Sequence, residues 1–145
     1  MATVSQILEI KGPHVLSIGS DATALDAALL MNEHKVGSLV VTDGGRVEGI
    51  ITERDILQRI VAQRRDPAQT RVAEVMTTEV MCVTPDTPIE EARRVMKDRR
   101  VRHLPVVGDG QWLRGLISIG DLNAYETSSQ EVTIHYLHEY LYGRV

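Results

Sequence analysis

Gly49-Ile50-Ile51-Thr52-Glu53-Arg54-Asp55-Ile56 returns, 66 positions on, as Gly115-Leu116-Ile117-Ser118-Ile119-Gly120-Asp121-Leu122. Each octet runs from an apolar stretch into a hydroxyl residue and, three places later, an aspartate. Upstream the match continues: Ser38-Leu39-Val40-Val41 falls on His103-Leu104-Pro105-Val106, and Asp21 on Asp86, 65 apart. A repeat that keeps hydroxyl and carboxylate in register predicts two related pockets across a pseudo-two-fold seam. Such duplication favours binding over catalysis.

Each copy reads as strand, helix, strand, strand, helix, an α/β chain of the α+β type. In the first, Val15–Ile18 is a short strand. Ser20 or Thr23 caps a helix whose apolar stripe is Ala24, Ala27, Ala28 and Met31. Val36 to Thr42 is β-branched, and Asp43-Gly44-Gly45 has the turn chemistry of a hairpin into Val47 to Thr52. A second helix opens near Glu53 with Ile56, Leu57, Ile60 and Val61 inward. The second copy repeats the plan: strand Val80–Val83, a helix with Pro88 in its first turn and Ala92, Val95 and Met96 inward, then hairpin strands Val101–Val107 and Leu113–Ser118. The boundaries are 1–63 for the first repeat, 64–71 for a polar linker, 72–127 for the second repeat and 128–145 for a tail. The short strands leave neither half able to bury itself, so the halves fold as one unit. In the tail, Ser128 and Glu131 have capping-box spacing, and Val132, Tyr136, Leu137, Tyr140 and Leu141 recur at helical spacing. That helix covers the protein's own core or forms a subunit contact.

The bulk composition narrows the classes. Of 145 residues, 43% are hydrophobic and 25% charged, as in ordinary globular proteins. A net charge of −4 gives no general attraction to nucleic acid. One cysteine, Cys82, makes no intramolecular disulfide, and no apolar run approaches a membrane span. With no signal-peptide pattern at Met1, the expected location is the cytoplasm.

These motifs resemble the tandem cystathionine β-synthase (CBS) domain pair. The resemblance rests on Arg102-His103-Leu104-Pro105-Val106-Val107, Gly115-Leu116-Ile117-Ser118 and Asp121-Leu122, with Gly37-Ser38-Leu39-Val40-Val41 and Gly49 to Ile56 in the first copy. It runs from about Val4 to about Tyr125 and identifies a small stand-alone member. It implies two repeats packed sheet to sheet, with clefts that take AMP, ADP, ATP, NAD or S-adenosylmethionine. It also implies a homodimer, a flat disc of four repeats, with no metal.

The resemblance assigns ribose to Thr52, Asp55, Ser118 and Asp121. A carboxylate only accepts hydrogen bonds, through two oxygens, and so suits a ribose 2′,3′-diol. The plainer alternative is that each aspartate caps its helix. Phosphate falls to Arg54, Arg102 and His103, the last two being otherwise a solvated strand end; Lys35 reads as a helix-end cation. The adenine falls to Val15, Leu16, Gly37, Ser38, Val80 and Met81, which also read as core. Gly120 stands at the place of Arg54, and Gly37-Ser38 at that of Arg102-His103, so one site is expected to be tighter than the other.

Other functions fit less well. His135 and His138 with Glu139 could hold zinc on the tail, but a surface or interface helix explains them more simply. Cys82 sits in an apolar run and reads as inert. The basic run Arg93, Arg94, Lys97, Arg99, Arg100 and Arg102 is interleaved with acids and lacks aromatics for base stacking, which counts against RNA. A pure assembly module with vestigial clefts is the main alternative. The reading is a cytoplasmic, non-enzymatic nucleotide sensor that signals, through its linker or tail, to a protein target the sequence does not name.

Overall fold

The computed structural model describes residues 2–12 and 14–129. A helix absent from the sequence reading comes first: α1, Val4–Lys11. The first repeat follows as β1 (Ser17–Gly19), α2 (Ala24–His34), β2 (Ser38–Asp43), β3 (Arg46–Thr52) and α3 (Glu53–Ile56), which continues as a π-helical turn, Leu57–Val61. Asp66 caps a 3-10 turn at Pro67–Gln69, and α4 (Val72–Val75) leads into the second repeat. That repeat has α5 (Ile89–Arg99), β4 (His103–Val107), β5 (Leu113–Ser118) and α6 (Ile119–Ser129).

Local chemistry accounts for most of these boundaries. Thr23 and Asp26 cap α2 reciprocally, at 3.0 and 3.1 Å. Gly44 and Gly45 both adopt positive φ, 60° and 92°, as a two-residue hairpin turn requires. β2 pairs in parallel with β1 and antiparallel with β3, in the order β1-β2-β3. β4 and β5 form the second hairpin, with His103 opposite Ser118.

Three expectations need correction. The predicted strand Val80–Val83 is reduced to a single parallel bridge between Val83 and Val106. Val83 N–H donates to Pro105 O at 3.0 Å, so the side of Pro105 that faces this segment has no N–H to return. In the first repeat Val40 holds that place, and β1 pairs over Ser17–Gly19, leaving Val15 and Leu16 of the expected strand Val15–Ile18 outside it. The stripe Ile56, Leu57, Ile60, Val61 is also broken: Ile60 is buried, but Leu57 and Val61 are 60% and 61% exposed. The π turn replaces the i→i+4 spacing that the stripe assumed. Finally, α6 is continuous through Ser128, where the sequence suggested a new helix start. The remaining tail, with its tyrosines and histidines from 132 onward, lies outside the described residues.

Two cores result, and each borrows a helix from the far side of the seam. Leu39, Val41, Ile51 and Ile60 pack with Val72 and Val75 of α4. Leu104, Val106, Ile117 and Leu122 pack with Val4 and Ile7 of α1. The exchange is stitched twice by backbone: Ala24 N–H donates to Thr70 O at 2.7 Å, and Val4 N–H to Thr87 O at 2.9 Å. The signal for α1 is visible in retrospect. Thr3 and Gln6 have capping spacing, with Thr3 N–H donating to Gln6 Oε1 at 2.7 Å, and Val4, Ile7 and Leu8 share a helical face.

Two glycines make room for the crossing segments. A Cβ on Gly49 would lie 2.6 Å from the carbonyl oxygen of Thr77, whereas on Gly115 it would meet the Leu8 Cδ2 methyl at 2.7 Å. Gly49→Ala must therefore displace backbone, and should cost about 1–3 kcal/mol. Gly115→Ala should cost less, because a leucine methyl can rotate away. Urea midpoints of the two variants provide the comparison.

Candidate functional site

The end of β3 and the start of α3 set the first hydroxyl–carboxylate pair. Thr52 is the N-cap of α3, and Asp55 is 6% exposed. Asp55 Oδ2 accepts from Thr52 N–H at 3.0 Å and from Thr52 Oγ1 at 3.2 Å, and Oδ1 accepts from Thr77 Oγ1 at 3.1 Å. The Nε of Arg59 stands 3.9 Å from Oδ1, while its Nη1 donates to the carbonyls of Val75 and Met76. Asp55 thus ties the first repeat to the segment entering the second.

The second pair has a different partner. Ser118 N–H donates to Asp121 Oδ2 at 2.8 Å, and Asp121 N–H to Ser118 Oγ at 3.1 Å. Where Thr77 offers a hydroxyl, Lys11 offers an ammonium: its Nζ lies 2.7 Å from Asp121 Oδ2 and donates to Leu116 O at 2.7 Å. The Asp121 side chain is 25% exposed, so its ion pair is partly open to solvent.

A cavity of about 650 Å³ opens beside the first pair. Of the residues singled out in the sequence, Thr52, Arg54, Gly37, Ser38, Val80, Met81, Arg102 and His103 line it. A second cavity, about 560 Å³, is lined by the apolar Val15, Leu16 and Leu116, by Lys11 and Lys35, and by His14. Gly37, Ser38 and His103 belong to both linings, so the cavities meet at that neck. Both volumes lie within the roughly 300–1,000 Å³ usual for small-molecule sites. Asp55, Ser118 and Asp121 are not among the lining residues; Asp55 stands behind Thr52 and Thr77, each of which contributes to the wall.

Charge favours an anionic guest in both. In the first cavity Arg54, Arg99, Arg100 and Arg102 outnumber Glu53 and Glu79. In the second, Lys11 and Lys35 stand with three imidazoles and no lining carboxylate. Burial pushes the His103 imidazole below its ordinary 6.5; nearby Lys11 and Arg102 push the same way, against Asp121. Burial likewise raises the Cys82 thiol above its ordinary 9.0, so it is a poor nucleophile. Among the described residues no cluster of His, Cys, Asp and Glu could hold a metal ion, and no helix is long and apolar enough to cross a membrane.

Thr77, Glu79, Lys11 and His14 join the site without having been singled out in the sequence, and Arg99 and Arg100, read there as part of a solvated basic run, line the first cavity. Register offers a signal for Glu79 and His14, which immediately precede Val80 and Val15 and fall on each other in the two copies.

Comparison with known proteins agrees with this architecture. A family model described as the CBS domain matches residues 4–62 and again 72–127. The mitochondrial CBS domain-containing protein CBSX3 of Arabidopsis thaliana is 36% identical over 150 residues, covering 97% of this chain and 72% of its own. A putative signal-transduction protein with CBS domains from Burkholderia ambifaria superposes with a TM-score of 0.80 at 41% identity, covering 92% of this chain and 99% of that one. The CBS domain pair of protein MJ0100, solved with 5′-methylthioadenosine and S-adenosyl-L-methionine, has a TM-score of 0.76 at 24% identity, covers 90% of this chain and 99% of that one, and shares the fold.

Proposed function

The chain belongs to the CBS-domain family, and on that premise we propose that it is a non-enzymatic sensor of a phosphorylated adenosine, AMP, ADP, ATP or NAD, working in the cytoplasm. The observation that carries the reading is the pair of cationic cavities meeting at Gly37, Ser38 and His103. The ribose diol would engage Asp55 or Asp121, taking the place of the Thr77 hydroxyl or the Lys11 ammonium. The base would lie against Val80 and Met81 in one cavity and Val15 and Leu16 in the other. Phosphates would turn toward Arg54, Arg102 and His103. The first cavity should be the tighter site, because a neutral hydroxyl is easier to displace from a carboxylate than an ammonium. The active form would be a homodimer, and the signal would pass to a protein partner as a change in how the two repeats pack.

A second reading has its own support. Asp55 is fully engaged inside the protein, as a purely capping residue would be, so the clefts could be vestiges on an assembly module. Titration calorimetry against AMP, ATP, NAD and adenosine separates the two.

His103 sharpens the test. Its lowered proton affinity makes its contribution to stability complete above about pH 6.5, and that contribution is lost as pH falls below it. A bound phosphate reverses this bias by favouring the imidazolium. AMP affinity should therefore rise as pH falls from neutrality through 6.5, with proton uptake, while adenosine affinity stays level. Equal pH profiles for the two ligands would remove His103 from the phosphate site, and no binding of any of the four would favour the vestigial reading.

A further inference from the structure

Lys11 stands between Asp121 and the second cavity. Its Nζ lies 2.7 Å from Asp121 Oδ2 and 2.7 Å from Leu116 O; Lys11 and Leu116 line the cavity, and Asp121 does not. The same Oδ2 accepts from Ser118 N–H at 2.8 Å, the bond that caps α6. A vicinal diol offers two O–H donors and suits both oxygens of a carboxylate, so on Oδ2 one hydroxyl must take the place of Lys11. In register Lys11 falls on Met76, so the first repeat has no ammonium at this position.

The displaced ammonium cannot travel far. Lys11 ends α1, which Val4 and Ile7 pin into the second core, and its bond to Leu116 O need not break. It therefore stays at the cavity wall, where Lys35 is a second cation and, among the described residues, no carboxylate takes part in the lining. The Lys11 side chain is 34% exposed, so water compensates only in part for the lost partner. The first cavity has no such difficulty. There the group covering the carboxylate is the neutral Thr77 hydroxyl, 3.1 Å from Asp55 Oδ1, and it leaves no charge behind. Arg59, 3.9 Å from the same oxygen, keeps the Val75 and Met76 carbonyls as partners.

We infer that Lys11 is a charge gate on the second cavity: it pairs with Asp121 until a ribose takes that carboxylate, and then passes to an anion that the ligand itself brings. The second cavity accordingly takes an adenosine only when it carries an anionic 5′ group, whereas the first takes neutral and anionic adenosines alike. This rests on the nucleotide reading above and adds a division of ligands between the two sites. A 5′-phosphate restores the lost ion pair in place, with the bond to Leu116 O as the pivot. A neutral nucleoside leaves two lysines beside each other without a counter-charge.

The test is calorimetric titration of the full chain with AMP and with adenosine. On the parent, AMP should fill two sites and adenosine one. Lys11→Met, which writes in the residue of the first copy, should open the second site to adenosine and weaken AMP there about 10-fold. Lys11→Arg keeps the charge and should keep the parent's pattern. Two adenosine sites on the parent would overturn the gate and leave the nucleotide reading standing, and that result needs no variant to fold. A single adenosine site in Lys11→Met, with AMP still filling two, would also overturn it, because something other than Lys11 would then close Asp121. If Lys11→Arg admits adenosine as Lys11→Met does, shape and not charge is the barrier, and the gate falls. Binding of neither ligand to the parent would remove the nucleotide reading and the gate together.

Discussion

Ile7→Ala should destabilise the entire chain by about 2–5 kcal/mol, although residue 7 belongs to the first repeat and packs in the core of the second. Ile7 is 3% exposed and Val4 fully buried, and both pack with Leu104, Val106 and Ile117 of the second repeat. The loss is therefore taken first by the second core. It spreads because α4, which leads into the second repeat, supplies Val72 and Val75 to the first core. Each repeat holds a helix that the other needs, so neither core can melt while the other stays whole. Calorimetry of the variant should show one transition at a lower temperature, roughly 2–4 °C lower per kcal/mol for a chain of this size. Two resolved transitions, with the first core's temperature unchanged, would show that the exchange is only a surface contact. Val72→Ala tests the reciprocal half and should also lower the single transition.

This exchange explains which parts of the fold are legible in the residues alone. The hairpins can be read because turn chemistry is local: Gly44-Gly45 and the alternating strands around them carry their own instructions. The α2 cap can be read for the same reason. α1 is harder to read because its buried face meets the second repeat's core far downstream, so its capping pair and short apolar face gain weight only from that distant partner. Val80–Val83 reads as a strand on composition, but the strand's partner decides, and Pro105 withholds the N–H that pairing needs. The π turn leaves no mark in the residue pattern, since Leu57 and Val61 fit an α-helical stripe as well as Ile60 does.

The candidate site divides along the same line. Its wall residues are legible wherever the repeat aligns them, as with Gly37, Ser38, Thr52, Val80, Met81, Arg102 and His103. Thr77 and Lys11 are not, because they reach the aspartates only through the exchanged segments. They are also the two residues that make the pseudo-equivalent carboxylates chemically unequal: one carboxylate meets a hydroxyl, the other an ammonium. Arg54 and Gly120 already lead one to expect unequal sites, and Thr77 and Lys11, each lining its own cavity, add a second difference between the two carboxylates.

The same inequality yields the sharpest test of the ribose assignment, through Asp55→Asn and Asp121→Asn. Asparagine at either position keeps an oxygen that can accept the cap N–H of Thr52 or Ser118, so helix capping survives. It exchanges the second oxygen for an amide donor and removes the charge, so it cannot accept both hydroxyls of a ribose. A role in capping alone predicts unchanged ligand affinity. A ribose role predicts the loss of a charge-assisted hydrogen bond, about 1.5–3 kcal/mol, or about 10- to 100-fold in affinity at the affected site. The stability cost should be larger at Asp55, where a buried carboxylate gathers Thr52, Thr77 and Arg59, than at Asp121, whose ion pair with Lys11 is partly exposed. Asp121→Asn is thus the cleaner probe, since its effect on binding can be read with little change in folding. Titration with AMP should find one site weakened in each variant and the other retained. Two unaltered sites in both variants would leave the aspartates as helix caps, and the diol would need another acceptor.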